Sequence, residues 1–223
     1  SGEWAVEEML ALGESRPEVR KTAITWLLKQ AELQFSHTQV TVKPYHQAEL
    51  QLTDLQLINR NSRRHHDFRI TANLNQQPIQ LFADLEAGIN PLVLPTWQGK
   101  VYANLTPQSW GEWLTTTQLP EQVQVNQLTV GGAFWLDLHK GAVSRLVANL
   151  NAPNVSMTRK GLDYHLQQFQ GLIAWQSLAS GHWQATAERI QGFINQQSIP
   201  VETLSVEKNP QTITVAAQNI NLA

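Results

Sequence analysis

Residues 97–105 read WQGKVYANL, and their alternation limits what this segment can become. Trp97, Gly99, Val101, Ala103 and Leu105 fall on one side of an extended chain, and Gln98, Lys100, Tyr102 and Asn104 fall on the other. A period of two with one greasy side is the pattern of a strand buried on one face only. The same pattern recurs from about residue 32 to the C-terminus. A long sheet with a single apolar face must cover that face with something, so the covering partner is the functional question.

The period-two runs can be followed along the chain. Leu33 and Phe35 alternate, then Val40 and Val42; Leu50 and Leu52 share a phase that slips before Leu55 and Leu57. The slip predicts a β-bulge near Thr53-Asp54. Phe68, Ile70, Ala72 and Leu74 follow, then Ile79, Leu81, Ala83 and Leu85. Later runs contain Val123, Val125, Leu128 and Val130, then Phe134, Leu136 and Leu138, then Leu146, Ala148 and Leu150. Pro153 is expected to break a run, with Val155 and Met157 opening a short strand. Leu162, Tyr164 and Leu166 alternate, Phe169, Ile173 and Trp175 take the opposite phase, and the chain closes through Trp183, Val201, Val206, Ile213 and Val215.

These runs predict roughly ten to thirteen strands joined by hairpin-scale connections, hence a largely antiparallel sheet. The longest strands are expected at about ten residues, near 33 Å, and a dozen of them stack to roughly 50 Å. The predicted class is mainly β: a large curved sheet forming an open groove or a flattened barrel. The whole of 1–223 is read as one domain, with a helical part at 1–30 and sheet over 32–223.

Three helices are expected beside the sheet. Trp4 to Leu12 is a short candidate ended by Gly13, and Ser15-Arg16-Pro17-Glu18 has the form of a capping box opening a helix to about Gln30. Thr106-Pro107 resembles an N-cap followed by Pro in the first turn, which predicts a helix near 107–116 carrying Trp110 and Trp113. Spaced three apart, those tryptophans would share a side and serve as a lid. Sugar stacking by exposed tryptophan is the rival use for a chain with eight of them.

Composition narrows the chemistry. Charged residues make up 15% and the net charge is −2, so no basic footprint for nucleic acid exists. Cysteine is absent, which excludes disulfides, thiolate metal sites and a cysteine nucleophile. The seven histidines show no ligand-like spacing, and Asp54, Asp67, Asp84, Asp137 and Asp163 are each isolated. No nucleophile elbow, phosphate loop or dinucleotide fingerprint appears. Catalysis, a metal and a cofactor are therefore not expected. Gly131-Gly132 lies inside a strand-like run, where a bulge or close backbone approach is expected. Arg60 to His66 is the basic cluster, read as a hairpin tip whose sharper use would be contact with an anionic headgroup. No apolar run of about 18 residues is present. The opening Ser1-Gly2 reads as the scar of a cleaved tag, so a fragment of a longer protein is expected, with any membrane anchor outside it.

Several segments in order resemble the AsmA-like YhdP family. They are 23–33 (AITWLLKQAEL), 99–105 (GKVYANL) followed by 110–114 (WGEWL), 132–138 (GAFWLDL) followed by 141–148 (GAVSRLVA), 171–175 (GLIAW) and 181–183 (GHW), covering about residues 20 to 200. The resemblance implies a periplasmic portion of an inner-membrane-anchored protein of a Gram-negative bacterium. It implies a β-groove akin to that of bridge-like lipid-transfer proteins, which shields phospholipid acyl chains in transit between inner and outer membranes. The groove-lining candidates are Phe68, Ile70, Leu74, Ile79, Leu81, Leu85, Trp97, Val101, Leu105, Leu128, Val130, Phe134, Leu136, Leu146, Leu150, Leu166, Ile173, Trp183, Ile213 and Val215, with Trp110 and Trp113 as the lid. The expected partners are acyl chains and neighbouring segments of the same longer chain; membrane contact would run through parts absent here. The competing reading is a scaffold sheet whose helices at 17–30 and 107–116 close the apolar face, leaving its edges to bind proteins by strand addition. A glycan-binding module using exposed tryptophans is the third.

Overall fold

The computed structural model describes residues 26, 28–42, 49–88, 93–110, 123–179, 181–199 and 201–220. They form one antiparallel sheet of twelve strands: β1 (Glu32–Val42), β2 (Leu50–Asn61), β3 (His65–Leu74), β4 (Gln77–Glu86), β5 (Gln98–Ser109), β6 (Val123–His139), β7 (Ala142–Arg159), β8 (Leu162–Ala179), β9 (His182–Ile194), β10 (Gln197–Ser198), β11 (Val201–Lys208) and β12 (Ile213–Ile220). Sequence order is spatial order from β1 to β9, after which β9 pairs with β11 and β11 with β12; the two-residue β10 hangs on β9. The sheet is an open meander. β1 and β12 are its two ends and do not pair, so the barrel alternative is not realised.

β7 and β8 each run for 18 residues, about 60 Å, well beyond the expected ten. Bulges explain the difference. Sequence reading ends a strand at each phase slip, whereas the structure carries the strand through with one extra residue. His37 (φ 52°) in β1 and Asp54 (φ 51°) in β2 are such residues, and His37 Nδ1 meets Asp54 Oδ1 at 2.8 Å across the pair. Gln168 (φ 51°) in β8 and Arg189 (φ 54°) in β9 repeat the device at the other side of the sheet. Pro153 likewise lies within β7 and does not end it; the β6–β7 register slips there, and its missing N–H is tolerated at the irregularity. The bulge expected at Thr53-Asp54 is present.

The helix expected at 107–116 is corrected over the part described. Residues 107–109 are the end of β5, with a register shift between Leu105 and Gln108. Thr106 Oγ1 donates to the Pro78 carbonyl at 3.1 Å, and the Trp110 amide donates to the Leu128 carbonyl at 2.8 Å, keeping the chain in the sheet. A Thr-Pro pair suits a bulge as well as a helix start, because both tolerate a missing N–H. Residues 111–116, including Trp113, lie outside the described residues. So do the proposed helix at 4–12 and most of that at 15–30. Of the latter, residues 26, 28 and 29 are helical, and Gln30 Nε2 donates to the Trp26 carbonyl at 3.1 Å. Among the described residues no helix is long and apolar enough to cross a membrane.

Candidate functional site

Pairing fixes which side chains share a face, because directly opposed residues in a sheet point the same way. One row crosses eleven strands: Leu33, Asn59, Phe68, Ala83, Val101, Leu136, Leu146, Trp175, Ala185, Val206 and Val215. A second row on the same face reads Phe35, Leu57, Ile70, Leu81, Ala103, Phe134, Ala148, Ile173, Ala187, Leu204 and Ala217. Asn59 is the only polar member of either row. At about 4.8 Å per strand, each row is roughly 50 Å long.

Further rows flank these two. Ile79, Leu105 and Leu150 lie on one side, aligned through Gly132, and Leu85 lies on the other. Trp183 and Ile213 continue that side on the last strands, opposite Lys208. Leu74 faces Leu52 at the hairpin end of β3. Leu128 and Leu166 lie beyond the bulges, in the column Leu128, Val155, Leu166 and Ile194, and Val130 opposes Gln108 beside it. Each bulge changes the phase of its strand and the apolar positions change with it, so the greasy face continues. The described groove candidates therefore lie on one face. Phe35, Leu57, Trp175, Leu204 and Val206 belong to the same rows, although the alternation alone marked them only as strand residues.

That face is open. The chain exposes 15487 Å², whereas a compact monomer of 25.1 kDa exposes about 10,000 Å². Among the described residues the strand-to-strand packing is between sheet neighbours, and no strand lies across either face. Val215 at 61% and Ile213 at 64% exposure show how little covers the β12 end.

Trp110 directly follows β5 and is not helical. Its Nε1 donates to the Val130 carbonyl at 2.7 Å, which ties the end of β5 to β6. A hydrogen-bonded polar cluster enters the apolar face at the β2–β3 corner. His66, 3% exposed, stacks on Trp97 with ring centres 5.1 Å apart. Its Nδ1 donates to Asn61 Oδ1 at 2.7 Å, and Asn61 Nδ2 donates to the Gln30 carbonyl at 2.7 Å. This clamp joins the end of the N-terminal helix to the β2–β3 hairpin. The tautomer follows from Asn61, whose amide NH₂ is already used on Gln30.

Burial, and then the neighbouring His65, lowers the His66 pKa below 6.5. The folded state thus binds fewer protons than the unfolded chain just below pH 6.5. Its contribution to stability is complete above that value and is lost as pH falls toward the folded pKa. Unfolding midpoints measured between about pH 7.5 and 5.5 should therefore fall with pH, and His66→Phe should remove this part of the slope. An unchanged slope in that variant would refute the assignment. His65, on the opposite face as expected, is exposed and lies 3.5 Å from Asp84. The hairpin tip expected in the basic cluster is residues 62–64.

The wet face has its own organisation. Arg69, Phe82, Tyr102, Trp135 and Val147 oppose one another in sequence across β3 to β7. The Phe82 and Tyr102 rings stack at 5.8 Å, and Tyr102 and Trp135 lie 5.4 Å apart. One row over stand Asp67, Asp84, Lys100, Asp137 and Arg145. Arg69 holds Asp67 through Nε–Oδ1 at 3.1 Å and a second contact at 3.3 Å. A cavity of about 680 Å³ lies over these residues. The sequence signal for this cluster was aromatics at wet-phase positions, visible at Tyr102 but passed over at Phe82 and Trp135. Among the described residues no three His, Asp or Glu side chains gather as a metal site.

A family model described as YhdP protein matches residues 6–223. Comparisons with curated proteins and with solved structures each returned no match. The match takes in the whole sheet, both apolar rows included, and by it the chain belongs to the YhdP family.

Proposed function

We propose that this sheet is a lipid-carrying segment of a Gram-negative envelope protein, its apolar face shielding phospholipid acyl chains in the periplasm between inner and outer membranes. The observation that carries this reading is the pair of rows across eleven strands, apolar but for Asn59, over which no described strand lies. One leaflet's acyl chain is about 15 Å long, half of a hydrocarbon core of about 30 Å. It spans about three strands, so a 50 Å row is a path and not a pocket. Each methylene kept from water is worth about 0.8 kcal/mol anywhere along the path. Equal burial from strand to strand lets a lipid slide without a deep trap, and headgroups stay in water at the open side. No catalytic residue and no cofactor is required. The parent protein would be anchored in the inner membrane through parts outside this chain.

The edges support a second contact. β12 presents Ile213 and Val215 exposed beside a strand edge that no described residue pairs, which suits extension of the sheet by a neighbouring segment or partner strand.

Photo-crosslinking in cells tests the main reading. A photoreactive phenylalanine at Leu81 or Val101 should capture phospholipid, and one at Gln80 or Asn104, on the wet face of the same two strands, should not. Equal capture from both faces would overturn the assignment.

A further inference from the structure

From the wet face we infer a second binding site, for a glycan, held across β4, β5 and β6 by Phe82, Tyr102 and Trp135. It is on the side opposite the acyl path and does not depend on that path carrying lipid.

The aromatic row is not needed to bury apolar surface, which the other face already does. Trp135 is 45% exposed and Phe82 38%, in a face otherwise rich in amides and charges, and a cavity of about 680 Å³ lies over them. The row is one side chain wide. On one side run Asp84, Lys100, Asp137 and Arg145, alternating in sign; on the other run Gln80, Asn104, Ala133 and Asn149, polar but for Ala133. An aromatic strip bounded on both sides by hydrogen-bonding groups matches a sugar, which presents C–H faces and a rim of hydroxyl or acetamido groups. The rings recur at the spacing of adjacent strands, so successive sugar units of an extended chain can meet successive rings.

Other occupants fit less well. Alternating signs cancel the field, so the site does not select a polyanion such as nucleic acid or a phosphate-rich surface. An acyl chain on the strip would desolvate charges one residue away without pairing them. An added peptide strand needs free backbone groups, and β4, β5 and β6 are each paired on both sides.

Isothermal titration of the protein with chitotetraose and with cellotetraose tests the site. Saturable binding of at least one sugar is expected, weakened about tenfold by Tyr102→Ala or Trp135→Ala. Asp137→Asn, outside the ring row, should weaken binding severalfold with the circular dichroism spectrum unchanged. That variant decides the matter if a ring variant fails to fold. No saturable heat with either sugar at millimolar concentration would overturn the proposal, as would folded variants that bind like the wild type.

Discussion

Replacing Leu81 and Leu136 together by aspartate should strip bound lipid from the protein and leave the sheet standing. Leu81 lies between Ile70 and Ala103 in one apolar row, and Leu136 between Val101 and Leu146 in the next. Both are partly exposed, so each carboxylate keeps water in the empty protein, and the fold loses only on the order of 1 kcal/mol per site through poorer strand packing. A lipid tail laid over the same carboxylates must remove that water without supplying a partner, at a cost of several kcal/mol. Lipid recovered after purification should drop more than about tenfold. Gln80→Asp with Asn104→Asp puts the same charges on the wet face and should leave lipid content unchanged. Equal loss from both pairs would mean that charge alone matters and that the apolar face has no special role.

The largest expected effect on stability falls on Gly132→Ala. Gly132 has φ of +140° inside β6, and a Cβ there would sit 2.2 Å from the Asn149 carbonyl oxygen of β7. Neither group can retreat without breaking the ladder between β6 and β7, two of the longest strands. Backbone strain and the forced separation together should cost about 3 kcal/mol or more in denaturant unfolding. Gly161→Ala separates the two causes. Gly161 also has positive φ, +78°, but a Cβ there meets nothing within 4 Å, so about 1–2 kcal/mol is expected. If the two variants lose the same stability, close approach of the strands is not what Gly132 serves.

Gly131-Gly132 also shows what could be read in advance. A strand glycine pair signals close backbone approach, and the sequence supplies that signal directly. The alternation marked the strands and their apolar side, and a two-phase run from Leu50 to Leu57 marked the bulge at Asp54. The lengths of β7 and β8 were not legible, because a bulge and a strand end leave the same phase slip; at Pro153 the signal was one of interruption and the strand continues. Thr106-Pro107 misled for a related reason, since helix start and bulge share the tolerance for a missing N–H. Row continuity across eleven strands depends on register, and register is a property of pairs that no single strand encodes. The wet-face aromatics were missed because Phe82 and Trp135 sit far apart in the chain and meet only through β5.

Native mass spectrometry of the protein purified from bacterial envelopes in mild, lipid-free buffer tests the central claim most directly. Wild-type protein should retain phospholipid in a series of discrete bound states, and the Leu81/Leu136 aspartate pair should appear bare. Wild-type protein that is bare, and that also fails to take up a fluorescent fatty acid, would contradict an acyl-shielding role for this face.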